Sequence, residues 1–248
     1  RCFVKLKDKV AIVTGAAGGI GAAIATGYAR EGAKIVIADV LDGAETVKAV
    51  QNAGSEAIYV RTDVTSQKEC DHMAKSAADR FRSVDILVNN AALFGGITMK
   101  PFTELSDEEW NRVMAVNVGG PFHCTKAVFP YMKEKGGKII NMSSASIMEG
   151  VPFMPHYVSS KGAIMAFTRA MARELGDYNI NVNCIAPGFT HSAAGDRFDQ
   201  SKAVPIGPLE ELQQPMKCLK RAAYPEDLAG TAVFLASDMS NYITGQLI

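Results

Sequence analysis

Short apolar runs rich in β-branched residues alternate six times with longer segments of helical periodicity along this chain. They predict strands at residues 10–13, 35–38, 57–60, 86–88, 138–142 and 180–186. The segments that follow the strands predict helices at 19–31, 44–53, 67–81, 107–133, 157–175 and 225–236. Parallel strands need such crossover helices, so the alternation favours an α/β protein with one doubly wound parallel sheet and helices on both faces.

One stretch departs from this alternation. Residues 189–224 contain several glycines and prolines but only weak periodicity, and they lie between the sixth strand and the last helix. A long connection in that place is either a functional lid or a disordered loop. Because the 248 residues contain no other linker, we predict a single domain over residues 1–248 with a substrate-lid insertion at about 189–224.

Charge and hydropathy exclude several classes of protein. Lys plus Arg and Asp plus Glu both number 26, so the chain lacks the basic footprint of a nucleic-acid-binding protein. No apolar run approaches the ~18 residues that a membrane span needs, and the first residues do not resemble a signal peptide. The five cysteines form no Cys-x-x-Cys pair, and the four histidines share no ligand spacing. We therefore expect a cytoplasmic protein with reduced thiols and no metal, and neither nucleic acid nor a membrane as a partner.

The first chemical signal is the glycine-rich segment from Thr14 to Gly21, which has the spacing Gly-x-x-x-Gly-x-Gly. It follows a predicted strand and opens a predicted helix, as in a Rossmann-type fold. Glycines there allow a tight turn and a close approach of phosphate, and the helix N-terminus supplies unpaired N–H groups. We predict a dinucleotide site at Gly15, Gly19 and Ile20, with a glycine-rich turn that binds no ligand as the alternative.

The second signal is Asp39, which ends the second predicted strand. An acidic side chain there can accept hydrogen bonds from both ribose hydroxyls of an adenosine and would repel a 2′-phosphate. The next residues, Val40 and Leu41, are not basic. The sequence therefore favours NAD over NADP as cofactor, the alternative being that Asp39 only begins a turn before the next helix.

The third signal is the pattern Tyr-x-x-x-Lys, which occurs at Tyr131…Lys135 and again at Tyr157…Lys161. The first copy lies at a charged helix end, which is typical of surface. The second copy opens an apolar-faced helix, and its i, i+4 spacing puts the tyrosine and the lysine on one face. Ser144 follows the fifth strand at the carboxyl edge of the sheet, where open α/β folds bind ligands. The second copy and Ser144 are therefore the catalytic candidates.

Together, these segments resemble the short-chain dehydrogenase/reductase family, and the resemblance covers nearly the whole chain. The glycine loop is similar to the family's cofactor loop, and Asp63-Val64 is similar to its adenine-contacting pair. Asn89-Asn90-Ala91-Ala92 looks like its Asn-Asn-Ala-Gly segment, which implies cofactor contacts at Asn90 and Ala91.

The resemblance also implies the roles of further residues. The implied catalytic residues are Asn117, Ser144, Tyr157 and Lys161. The implied remaining cofactor contacts are Tyr157 and Lys161 again, together with Pro187, Gly188, Thr190 and Ser192 after the sixth strand.

Three positions depart from the family's pattern. Ala92 stands where glycine is usual and adds a methyl group near the cofactor. Ser192 stands where threonine is frequent, and its hydroxyl can still bond the carboxamide or the pyrophosphate. The sequence ends at Ile248, where family members continue into a seventh strand, which leaves open how that edge of the sheet is completed.

The implied reaction is hydride transfer between NAD(H) and an alcohol or a ketone. Tyr157 would be the general base in oxidation and the acid in reduction. The phenol, whose ordinary pKa is about 10, would have to drop by about two units, and Lys161 with the positive nicotinamide ring is a sufficient cause. Ser144 would orient the substrate oxygen, and Asn117 would bind a water that links Lys161 to solvent.

The candidate substrate-contacting residues are largely apolar and favour a small hydrophobic or aryl secondary alcohol over a sugar. They are Leu93, Phe94, Met154, Phe189, Phe198, Val204, Ile206, Leu209 and Met216. Two alternatives are a 3-oxoacyl-thioester reductase and a non-catalytic dinucleotide-binding sensor. A 3-oxoacyl-thioester reductase usually prefers NADP and carries basic residues near the cofactor loop. A non-catalytic sensor is expected to lack some of the catalytic residues.

Two predicted helices carry apolar residues beyond one core-facing stripe. These residues are Val113, Val116, Val128 and Phe129 in 107–133 and Ala163, Phe167 and Ala170 in 157–175. A helix that covers one face of a sheet needs only one stripe, so the surplus predicts contact with a second copy of the chain. The family resemblance implies a homotetramer, with a homodimer as the alternative.

Overall fold

The six predicted strands form one sheet in which every neighbouring pair is parallel. The computed structural model describes residues 5–192, 195, 198, 215 and 217–248. Its strands are β1 (Val10–Thr14), β2 (Lys34–Asp39), β3 (Ala57–Arg61), β4 (Ile86–Asn89), β5 (Gly137–Met142) and β6 (Ile180–Ile185). Their spatial order is β3-β2-β1-β4-β5-β6, which confirms the doubly wound Rossmann-type fold.

Helices cover both faces of this sheet. Within the described residues they are α1 (Gly19–Arg30), α2 (Ala44–Asn52), α3 (Gln67–Phe81), α4 (Asp107–Met114), α5 (Gly120–Met132), α6 (Ser146–Glu149), α7 (Pro155–Glu174) and α8 (Glu226–Ala236). In the part of the chain that the structure describes, no helix has both the length and the apolar character needed to cross a membrane.

The alternation of side chains along each strand builds two separate cores. Ile12 of β1 packs with residues of α3, α5 and α7, whereas its neighbour Val13 packs on the opposite face with residues of α1 and α8. Both side chains are fully buried. Because β1 is apolar on both faces, it can occupy the centre of the sheet, and its carboxyl end lies beside the switch in strand order.

The prediction of one regular helix over 107–133 is wrong at its centre. A π-helical segment, Ala115–Gly119, separates α4 from α5, and it contains the buried Asn117. Pro121 explains part of the interruption, since it has no N–H group to donate to the carbonyl of Asn117 four residues earlier. Such π-helical insertions occur frequently at functional sites.

Two further details differ from the prediction. The helix expected from Tyr157 begins two residues earlier, at Pro155, where a missing N–H costs nothing in the first turn. The last described residues run parallel to β6, since Cys184 N–H donates to the carbonyl of Gln246 at 2.8 Å and Ile248 N–H donates to that of Cys184 at 3.0 Å. The edge beyond β6 is therefore already partly covered.

The predicted surplus of apolar residues on the outer faces of two helices is only partly present. Val113 and Val128 are buried within the protein's own cores and leave nothing for a second copy. Phe167 is half-buried and Ala170 is exposed, so part of the outer face of α7 is apolar, with the exposed Arg169 beside it. Most of the predicted lid, including Val204, Ile206, Leu209 and Met216, lies outside the described residues.

Candidate active site

A cavity of about 1080 Å³ opens at the carboxyl edge of the sheet. All the cofactor-contacting candidates line it: Gly15, Gly19, Ile20, Asp39, Asp63, Val64, Asn90, Ala91, Tyr157, Lys161, Pro187, Gly188, Thr190 and Ser192. Strand ends and the loops that follow them supply most of the wall, because the parallel strands all terminate at this edge.

The glycine loop needs glycine for steric reasons. Gly15 and Gly19 have φ values of +63° and +56°, in the left-handed region that disfavours other residues. A Cβ atom on Gly15 would also lie 2.7 Å from Cα of Ala91. Asn90 clamps the loop from the neighbouring strand, since its Nδ2 donates to the carbonyls of Thr14 at 2.9 Å and Gly15 at 3.0 Å.

This loop and the residues beside it fit a dinucleotide. α1 begins at Gly19 with no side-chain cap, which leaves its first N–H groups to face the cavity with the positive end of the helix dipole. Asp39 is fixed at the end of β2, because its carboxylate accepts from the N–H of Ala17 at 2.9 Å and of Leu41 at 3.0 Å. A carboxylate has about four lone-pair sites, so two remain for ribose hydroxyls.

Three of the four catalytic candidates meet at the other end of the cavity. Ser144 follows β5, and Tyr157 and Lys161 lie one turn apart on α7. All three line the cavity, and Lys161 Nζ lies 5.7 Å from the centre of the Tyr157 ring. The spacing of four residues therefore places both groups on one face, as predicted.

Asn117 is adjacent to this group but takes a different place. Its side chain is buried, with Oδ1 accepting from Leu93 N–H at 2.7 Å and Nδ2 donating to Ser160 Oγ at 3.0 Å. The Ser160 hydroxyl in turn donates to the carbonyl of Tyr157 at 2.7 Å. The amide thus ties the loop after β4 to the first turns of α7.

Known proteins are similar to this chain over nearly its full length. A family model described as Enoyl-(Acyl carrier protein) reductase matches residues 15–248. Galactitol 2-dehydrogenase of Agrobacterium fabrum is 39% identical over 249 residues, which cover 98% of this chain and 96% of that protein. The 3-oxoacyl-[acyl-carrier-protein] reductase of Synechocystis is 40% identical over 247 residues, 97% of this chain and 94% of that protein.

This chain belongs to the short-chain dehydrogenase/reductase family. A solved structure of NAD⁺-bound xylitol dehydrogenase superposes with a TM-score of 0.89 at 32% identity, covering 98% of each chain. The family resemblance drawn from the sequence motifs is thereby confirmed, and the chain is a member of an oxidoreductase family.

The electrostatics of this short-chain dehydrogenase/reductase differ from the expectation for Tyr157. Burial raises the pKa of its phenol to about 12, and the hydrogen bond with Ser144 acts in the opposite direction. Burial lowers the pKa of Lys161 to about 8. The Lys161 ammonium donates to the main-chain carbonyl of Met142 at 2.8 Å rather than to the phenol. The expected lowering of the Tyr157 pKa is therefore absent from the protein alone.

Aromatic rings line the substrate end of the cavity. The Phe94 ring lies 5.2 Å from the Tyr157 ring and stacks on Phe198 at 4.6 Å, both distances being between ring centres. Leu93, Phe94, Met154 and Phe189 all line the cavity, as predicted. This end of the described cavity is largely apolar.

Sequence reasoning missed some residues that shape the site. Ser160 connects Asn117 to Tyr157, and its position three residues after Tyr157 on the same helix was the available signal. Asp42 lines the cavity beside Asp39 and adds a second carboxylate at the adenosine end. Its place just beyond the second strand could have indicated this.

Proposed function

We propose that this short-chain dehydrogenase/reductase transfers hydride between NAD(H) and a small, hydrophobic or aryl, secondary alcohol or ketone. The observation that carries the proposal is the single cavity that joins the glycine loop and Asp39 at one end to Ser144, Tyr157 and Lys161 at the other. A cavity of about 1080 Å³ can take a dinucleotide with a small substrate beside its reactive end.

Each residue of the catalytic set has a distinct task in this proposal. When bound, the nicotinamide ring supplies the hydride acceptor or donor. Ser144 donates a hydrogen bond to the substrate oxygen and orients it. Tyr157 takes the hydroxyl proton during oxidation and returns it during reduction. Lys161 supplies positive charge beside Tyr157. Asn117 keeps α7 in register with the loop after β4 and binds a water that links Lys161 to solvent.

The preference for NAD follows from charge at the adenosine end. Asp39 and Asp42 both line the cavity there, and no lysine or arginine lies between them in the sequence. A 2′-phosphate would meet these two carboxylates, which repel it. The NAD⁺-bound xylitol dehydrogenase of similar structure supports the same choice.

Cofactor preference and a panel of alcohols test the proposal together. We expect NAD to be preferred over NADP by at least about tenfold in kcat/KM, which corresponds to about 1.4 kcal/mol. Asp39→Ala should reduce that ratio because the ribose loses its acceptor. The measurement is NADH or NADPH absorbance with aryl, cyclic and aliphatic secondary alcohols and with polyols. Equal use of both cofactors by the unchanged protein would contradict the NAD assignment.

A second candidate is the reduction of a 3-oxoacyl thioester. The identity of 40% with the Synechocystis 3-oxoacyl-[acyl-carrier-protein] reductase favours it. The two acidic residues at the adenosine end argue against the NADPH that such reductases usually use. A short 3-oxoacyl thioester assayed with NADPH and with NADH separates the candidates, since thioester turnover above that of every alcohol would favour the second.

We also propose that the chain assembles as a homotetramer or homodimer through the outer faces of α5 and α7. Phe122 on α5 is 50% exposed, and Ala166 and Ala170 on α7 are exposed. Large apolar side chains and small residues on adjacent outer faces permit close packing of the same surface from another copy.

A further inference from the structure

At the adenosine end of the cavity, the main-chain carbonyl of Val64 is hydrogen-bonded to the neighbouring helix α5. Val64 lines the cavity just after β3, and its carbonyl oxygen faces α5. His123 of α5 contacts this carbonyl oxygen through Nδ1 at 2.9 Å. A carbonyl oxygen can only accept, so Nδ1 must carry the proton and act as the donor.

Two other contacts support Val64 from the same side. Cys70 of α3 places its thiol 3.7 Å from the Val64 carbonyl oxygen. Gly120, one turn before His123 on α5, allows close packing, since a Cβ there would lie 2.7 Å from Cγ2 of Val64. The half-buried imidazole of His123 therefore supplies the strong hydrogen bond within a tightly packed contact.

The rest of this loop is fixed by other groups. Asp63 N–H donates to Glu69 Oε2 of α3 at 2.8 Å, and Asp63 Oδ1 accepts from the hydroxyl of Thr65 at 2.7 Å. Those bonds tie the loop to α3 and to itself. Among the hydrogen bonds of the described residues, the one from His123 ties the backbone of Val64 to α5.

We propose that His123 is a positioning residue for the adenine end of the cofactor, acting through the carbonyl of Val64. The inference rests on the proposed cofactor site, which places the adenine against Asp63 and Val64. By fixing the Val64 peptide, His123 sets the direction of the groups that this loop presents to the base. Loss of the bond lets the loop shift and weakens adenine binding without touching the catalytic residues at the other end.

The test compares three variants by equilibrium binding and by kinetics. In His123→Leu we expect about a three- to tenfold weaker affinity for 5′-AMP and for NAD, as befits one lost hydrogen bond. Affinity for nicotinamide mononucleotide and kcat at saturating NAD should not change. His123→Asn should restore AMP affinity, because its amide nitrogen can occupy the place of Nδ1. His72→Leu, at an exposed position on α3, is the matched control.

Each outcome has a defined meaning. Unchanged AMP affinity in His123→Leu overturns the inference and leaves the proposed function intact. Equal weakening of AMP and nicotinamide mononucleotide, or no recovery in His123→Asn, indicates general loosening and also overturns it. If His123→Leu does not fold, as judged by circular dichroism, the comparison of His123→Asn with His123→Ala decides in the same way. An unchanged protein that binds neither AMP nor NAD would contradict the proposed function itself.

Discussion

The chain contains the pattern Tyr-x-x-x-Lys in two surroundings that differ in nearly every physical respect. Tyr131, at the end of α5, is 36% exposed, whereas Tyr157, in the first turn of α7, is 8% exposed. Lys135 forms an ion pair with Asp85, with Nζ 2.7 Å from Oδ1. Lys161 is buried and has a neutral partner, the carbonyl of Met142 at 2.8 Å.

The comparison separates a pattern from the chemistry that it can perform. A carboxylate and solvent lie beside the Lys135 ammonium and stabilise its charge. Among the described residues, no carboxylate pairs with the buried Lys161, and burial lowers its pKa to about 8. Its charge therefore responds to a ligand that brings or removes charge nearby. The same two residue types at the same spacing give a surface ion pair in one place and a titratable pair in the other.

The largest expected difference between the two copies is in turnover. Tyr157→Phe removes the proton donor and acceptor, and we expect kcat to fall by about 10²- to 10⁴-fold. NADH binding, measured by fluorescence, should persist because only the phenolic oxygen is lost. Tyr131→Phe should change kcat less than about twofold, since the single substitution removes a solvated hydroxyl. Equal losses in both variants would show that the contrast between the two copies is irrelevant to catalysis.

The next difference is in the pH dependence of stability. The pKa of Lys161 is lowered from 10.5 to about 8 in the folded protein. Between these values the unfolded chain binds a proton that the folded protein lacks, so stability rises with pH across the window. The rise amounts to up to about 3 kcal/mol.

Urea unfolding at pH 8 and at pH 10 measures this effect. In Lys161→Met, the increase in the free energy of unfolding between pH 8 and pH 10 should be smaller than in the unchanged protein by most of the expected amount of about 3 kcal/mol. Lys135→Met should keep the rise, because its lysine is exposed and paired. If all three proteins gave the same difference between the two pH values, Lys161 would have an ordinary pKa and the contrast would lose its physical basis.

The smallest expected effect on catalysis concerns the outer face of α7, the helix that carries Tyr157 and Lys161. Phe167→Glu puts a charge on the half-buried outer surface of α7, away from the cavity. We expect it to dissociate the assembly while changing kcat per chain by less than about threefold. Light scattering should give two or four times 26.5 kDa for the unchanged protein and 26.5 kDa for the variant. A monomeric unchanged protein would contradict the proposed assembly only.

The fold was predictable because its strands are short apolar runs that are too short for helices. β1 and β4 are short apolar runs, the first between Lys9 and Gly15 and the second between Asp85 and Asn89, and each lies in the centre of the sheet with both faces buried. The π-helical segment was not predictable by the same reasoning. Val116, Val118 and the glycines that follow continue an apolar pattern, and periodicity does not register a single missing N–H group.

The candidate site was predictable in position but less so in electrostatics. Spacing alone places Tyr157 and Lys161 on one face, and the end of β5 places Ser144 beside them. The direction of the Tyr157 pKa depends on how much solvent remains around the phenol. It also depends on whether the Lys161 ammonium finds a carbonyl first. The local sequence predicts neither the exposure of the phenol nor the partner of Lys161, because both depend on packing between segments far apart in the chain.

The π-helical segment Ala115–Gly119, together with the proline that follows it, also affects the main chain of Asn117. The side chain of Asn117 connects Leu93 and Ser160, and its main-chain oxygen is a separate hydrogen-bond acceptor. That oxygen survives every substitution at position 117. It lacks an i+4 donor only because residue 121 is proline. The absence of an i+4 donor at one residue is thus encoded by another, and Pro121→Ala would restore that donor whereas Asn117→Ala would not.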